Sequence, residues 1–124
     1  MRRLGMPIAA ALCLAAACTV DGRDSTPAAT CEALAEVACA KLVECYSPEV
    51  LDAAGVPASP VECVAAMSSE LSCDSRTEET ACPAGLSYDP VMASACLVEN
   101  AALTCEMMGG RRKDHIPSCA QACR

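Results

Sequence analysis

Thr30-Cys-Glu-Ala-Leu-Ala-Glu-Val-Ala-Cys-Ala-Lys-Leu-Val-Glu-Cys-Tyr46 is the stretch around which the chain can be read. At 100° per residue from Cys31, the residues Leu34, Ala35, Ala38, Leu42 and Cys45 all fall within about 60° of it. Cys39 and Tyr46 sit at the edge of the same stripe. Glu32, Glu36, Lys41 and Glu44 lie elsewhere on the wheel. The pattern predicts an amphipathic helix with Thr30 as N-cap and three cysteines on its apolar side.

Downstream the same chemistry repeats. Ser47-Pro48 opens a short helix that Gly55 closes. Ser59-Pro60-Val61-Glu62 is a capping box with Pro at the first helical position, and Cys63, Val64, Met67 and Leu71 supply one apolar face. Asp89-Pro90 caps a third long helix, expected to run to about Met108 and to end at Gly109-Gly110. Val91, Ala95, Val98, Ala102 and Cys105 share one face of it, and Met92, Cys96 and Leu103 form a second strip. Ile116-Pro117-Ser118 opens a terminal helical turn. No segment alternates with period two, so the fold class expected for residues 31–124 is all-α: three to four helices in antiparallel hairpins.

Such a domain has little hydrocarbon to bury. The 124 residues contain no Phe or Trp and two Tyr, Tyr46 and Tyr88, but twelve Cys. Cysteine at this density in a short chain is the mark of a disulfide scaffold in an oxidising compartment. Ten cysteines follow Thr30, enough for five bridges. If consecutive helices form hairpins, the pairs nest: Cys45-Cys63, Cys39-Cys73 and Cys31-Cys82 in the first half, Cys105-Cys119 and Cys96-Cys123 in the second. Ten cysteines allow on the order of 900 pairings, so the nested set is one expectation among many.

Residues 1–17 read as an export signal. Arg2 and Arg3 precede an apolar run, Pro7 to Ala17, that is too short to span a bilayer. Leu14-Ala-Ala-Ala17 before Cys18 resembles the lipobox of bacterial lipoproteins, in which the cysteine is diacylated and becomes the mature N-terminus. Ala15 stands where that motif prefers Leu, and ordinary cleavage after Ala17 is the alternative. Parity favours the lipid: once Cys13 leaves with the signal and Cys18 carries lipid, an even ten cysteines remain. Residues 18–30, polar and small with Gly22 and Pro27, then read as a lipidated cysteine and flexible tether. Thr19 after Cys18 implies, by the enterobacterial sorting rule, anchoring at the outer membrane.

The net charge of −7 argues against nucleic acid as partner, and Arg111-Arg112-Lys113 reads as a solvated turn. No phosphate-binding loop, Cys-x-x-Cys motif or nucleophile elbow occurs, so neither a cofactor nor an enzymatic activity is expected. Asp114-His115 superficially resembles the site of secreted phospholipases but lacks the double cysteine that should precede it. His115, Cys119 and Cys123 at i, i+4, i+8, with Cys105, would make a tetrahedral zinc site if the thiols were free. Exported copper-storage bundles are similar in size, helicity and cysteine content, but line their cores with repeated Cys-x3-Cys, which occurs once here. Taken whole, with its signal, tether and segments such as Cys39-Ala-Lys-Leu-Val-Glu-Cys45, the chain resembles the small Cys-rich lipoproteins predicted in myxobacteria and similar soil bacteria. That resemblance implies an exported, lipid-anchored, non-enzymatic binding or structural domain. An exported zinc- or copper-binding protein is the alternative.

Overall fold

The computed structural model describes residues 26–124; the signal segment 1–17, Cys18 and most of the tether lie outside the described residues. The described part is all-α. Its elements are α1 (Pro27–Cys45), α2 (Pro48–Ala53), α3 (Pro60–Glu70), a 3-10 turn (Cys73–Ser75), α4 (Pro90–Ala101), α5 (Cys105–Gly109), a second 3-10 turn (Arg112–His115) and α6 (Pro117–Gln121).

One local rule sets most of the helix starts. Thr26, Ser47, Ser59 and Asp89 each occupy an N-cap, each with Pro as the next residue. The cap oxygen satisfies an amide that has no partner within the helix, and Pro has no amide to satisfy. This rule moves the start of α1. Thr26 Oγ1 accepts from Ala29 N at 3.3 Å, so the helix begins a turn before Thr30, which lies inside it. It also locates the break after α4. Ala102 closes that helix, and Thr104 turns extended and caps α5 by accepting from Met107 N at 3.2 Å. The single helix expected up to Met108 is therefore two.

α1 is the hub, packed on one side by α3 and on another by α4, with α6 laid along α4. The buried apolar residues are Cys31, Ala33, Ala35, Cys39, Leu51, Cys63, Cys73, Ala93, Cys96 and Leu103, and the largest side chains fully buried are Cys39, Cys63 and Cys73. The centre of the domain is thus cystine and alanine, not branched hydrocarbon. On α4 the buried stripe is Ala93, Cys96 and Asn100, with Leu103 buried just beyond the helix end, while Val91 (68% exposed) and Val98 (63%) face solvent. The second of the two strips expected there is the buried one. The valine face is not, because α4 must turn its small residues to α1 for the backbones to approach.

Five disulfides hold this arrangement: Cys31–Cys73, Cys39–Cys63, Cys45–Cys105, Cys82–Cys123 and Cys96–Cys119. All ten cysteines expected to be bridged are bridged, but none of the five nested pairings is correct. The reason is register. The α1–α3 connection contains a helix of its own, α2, and a turn at Gly55 with φ +74°. α3 therefore rejoins α1 at Cys39 rather than at Cys45, and the next bridge slides to Cys31–Cys73. Cys45, left at the end of α1, meets Cys105 at the start of α5 and ties the two halves together. In the second half α6 aligns Cys119 with Cys96. Cys123 passes beyond the helix into an isolated bridge with Tyr88, where it meets Cys82.

Candidate functional site

Between the first turns of α1, the inner face of α4 and the C-terminal segment lies a groove of about 600 Å³. The small side chains explain it: a core built from Ala and Cys has no Phe or Trp to fill the crease where three elements diverge. Buried Cys31, Ala93 and Cys96 belong to its wall, with half-buried Leu34, Leu97 and Ile116 beside them.

The one buried polar side chain among the described residues, Asn100 (3% exposed), lies at the groove. Its Nδ2 donates to Cys96 O at 2.9 Å and approaches Cys119 Sγ at 3.3 Å. Its Oδ1 accepts from Arg112 Nη2 at 2.8 Å. Burial makes an unpaired amide costly, and here both ends are used. The consequence is that the second 3-10 turn is pinned to α4 and the Arg112 guanidinium is held at the groove with four of its five N–H donors outside that bond. On the far side Tyr88 Oη donates to Thr30 Oγ1 at 3.2 Å, joining the irregular 76–89 segment to α1.

Two further contacts fix the C-terminal wall. The Glu99 carboxylate accepts from Ser118 N at 2.9 Å and so caps α6 from a neighbouring helix, since the α6 N-cap residue Ile116 makes no side-chain cap bond. Residues 87–89 pair with the tail through Ser87 N to Arg124 O (2.8 Å), Arg124 N to Ser87 O (3.0 Å) and Asp89 N to Ala122 O (2.8 Å). Asp89 accepts the Met92 and Val91 amides, and its other oxygen pairs with Arg124 Nη2 at 2.8 Å. These bonds, led by the one from Met92, outweigh desolvation and hold its carboxyl below the ordinary value of 3.8.

The electrostatics of the groove run against those of the chain. Among the described residues its lining includes Arg76, Arg112 and Lys113 and no Asp or Glu, although the whole chain carries −7. None of the three cations is in an ion pair among the described residues, whereas Lys41 and Arg124 are. Arg76 donates Nε to Leu71 O at 3.1 Å, which fixes its stem and leaves its terminal nitrogens outside that bond.

The residues considered as zinc ligands are not brought together. Cys105, Cys119 and Cys123 are oxidised in three different bridges, and exposed His115 ends the second 3-10 turn. Pro117 at the first position of α6 interrupts the helix that the i, i+4, i+8 spacing assumed. No group of three or more His, Cys, Asp or Glu among the described residues is placed to hold a metal ion. Of the residues that do line the groove, Asn100 and Arg76 were not singled out in the sequence, and Arg112 was read there only as part of a solvated turn. One signal was present: Asn100 follows Cys96 by four residues inside an apolar helix, a spacing that points an amide at a half-cystine.

No known protein family, curated protein or solved structure significantly matches the chain. Fold and cysteines define it as an all-α, disulfide-stapled domain. Five disulfides belong to an oxidising compartment outside the cytosol. Among the described residues no helix is long and apolar enough to cross a membrane.

Proposed function

We propose that the chain is a cell-envelope lipoprotein, anchored at the outer membrane through Cys18, whose helical domain binds a ligand and does not catalyse a reaction. The observation that carries the reading is that all ten cysteines from Cys31 onward are used within the domain. Cys18, directly after an apolar run ending in small residues, is left with no partner among them, as a lipid-bearing cysteine should be. The groove beside Asn100 supplies a concave, largely apolar surface with a few fixed polar groups, the usual form of a small-molecule site.

Intact mass of the protein purified from membranes, before and after reduction and alkylation, tests this reading. The expected result is a gain of ten hydrogens on reduction and a diacylglyceryl adduct on the peptide that begins at Cys18. An unmodified N-terminal peptide overturns the anchor. Free thiols with retained zinc or copper overturn the stapled domain and make the thiol-metal reading the leading one.

A further inference from the structure

The groove combines two kinds of surface that are rarely useful apart. Its buried wall, with Cys31, Ala93 and Cys96, offers no hydrogen-bond donor of strength. Asn100 does face it, but both ends of that amide are occupied. Its more exposed lining carries Arg112 and Lys113, with Arg76 half-buried, and no carboxylate. A wholly apolar ligand would leave those cations idle, and a small anion would leave the wall wet. From this charge complementarity we infer that the groove binds a single-tailed amphiphile with an anionic head, of the long-chain carboxylate class. The tail lies against Leu34, Leu97 and Ile116, and the head meets the terminal nitrogens of Arg112 and the Lys113 ammonium. Arg112 is the pre-set member of the pair, because Asn100 already fixes its guanidinium. The volume of about 600 Å³ is within the range of small-molecule sites, roughly 300–1,000 Å³. This inference rests on the reading of the groove as a ligand site and adds the class of ligand.

The test uses the full chain carrying Cys18→Ser, exported without its lipid, so that its outcome is independent of the anchor. Dodecanoate, dodecanol and dodecyltrimethylammonium are titrated in turn by calorimetry, with methyl NMR to locate the contact. The expected result is one dodecanoate per chain, bound about tenfold tighter than dodecanol, as one charge-assisted hydrogen bond would give. The cationic analogue binds weakest. Shifts fall on the methyls of Leu34, Leu97 and Ile116. Lys113→Gln, at an exposed position, weakens dodecanoate severalfold and leaves dodecanol and the melting temperature unchanged. Equal binding of dodecanoate and dodecanol in the groove overturns the anion assignment but not the site. Absence of binding by all three amphiphiles, or shifts confined to exposed Val61, Val91 and Val98, overturns the site itself.

Discussion

Removing one of the two bridges that join the halves, Cys45–Cys105 and Cys82–Cys123, isolates the contribution of covalent constraint. The Cys45–Cys105 bond closes a loop of 60 residues. In the chain-entropy relation such a loop is worth about 4 kcal/mol. With the other four bridges intact, the shortest covalent circuit through Cys45 and Cys105 still holds about 40 residues, and the logarithm lowers the figure only slightly. The site is well suited to the measurement, because Cys105 is exposed and Cys45 only half-buried, so truncation leaves little cavity. Cys45→Ala/Cys105→Ala should therefore lose about 4 kcal/mol, or about 20 °C in melting temperature for a domain of this size. Its denaturant slope should rise as the unfolded chain expands. The assay is guanidinium unfolding followed by circular dichroism without reductant, with mass spectrometry verifying that the other eight cysteines remain paired. A loss below about 1 kcal/mol with an unchanged slope would refute the reasoning, because it would mean that this bond does not constrain the unfolded ensemble.

Four other outcomes are expected. Cys39→Ala/Cys63→Ala, at a pair 0% and 1% exposed, should cost more than its 24-residue loop predicts, since a cavity term adds to the entropy, and the same unfolding assay reads the excess. Asn100→Ala should destabilise by about 1–3 kcal/mol, and should loosen the second 3-10 turn, seen as faster amide exchange at residues 112–115. Because Asp89 has its carboxyl held low in the folded state, the stability it contributes is present above its ordinary value of 3.8 and is lost as pH falls through the lower folded value; melting curves of Asp89→Asn should accordingly be flatter than wild type below about pH 4. Val98→Lys should change stability by less than about 0.5 kcal/mol despite deleting a large apolar side chain from a helix, because that residue is 63% exposed.

How much of this was legible beforehand depended on whether the signal was local. Ser47-Pro48, Ser59-Pro60 and Asp89-Pro90 each satisfy a helix start within a few residues, and each was read correctly from the sequence. Thr26-Pro27 carries the same signal, but Thr30 competes with it because the residues that follow Thr30 have the stronger apolar periodicity. The α4 face was misread because hydrophobicity ranks Val91 and Val98 above Ala93 and Asn100, whereas close packing against α1 selects for small volume. Disulfide pairing was the least legible layer. A hairpin argument needs the register at which α3 returns, and that is set by the length and shape of the α2 detour, not by any cysteine. The groove was equally hidden, since Arg76 and Arg112 lie far apart in sequence and are brought to one cavity only by the 3-10 turns that flank α3 and α6.

The helix that carries Cys31, Cys39 and Cys45 also has a bearing on how the correct bonds are chosen. None of the five native bridges joins cysteines that are neighbours in sequence order. An oxidant acting on the unfolded helical domain from its N-terminal side would meet Cys31, Cys39 and Cys45 first and would join them to each other. Once α1 has formed, its rise of 1.5 Å per residue holds Cys31 about 12 Å from Cys39 and Cys39 about 9 Å from Cys45. Both spans exceed the 4.4–6.8 Å between Cα atoms that a disulfide usually bridges. The helix therefore acts as a spacer that keeps its own thiols apart until residues 63, 73 and 105 arrive. A proline in its middle would be expected to appear first as scrambled bonds, before any loss of stability could be measured.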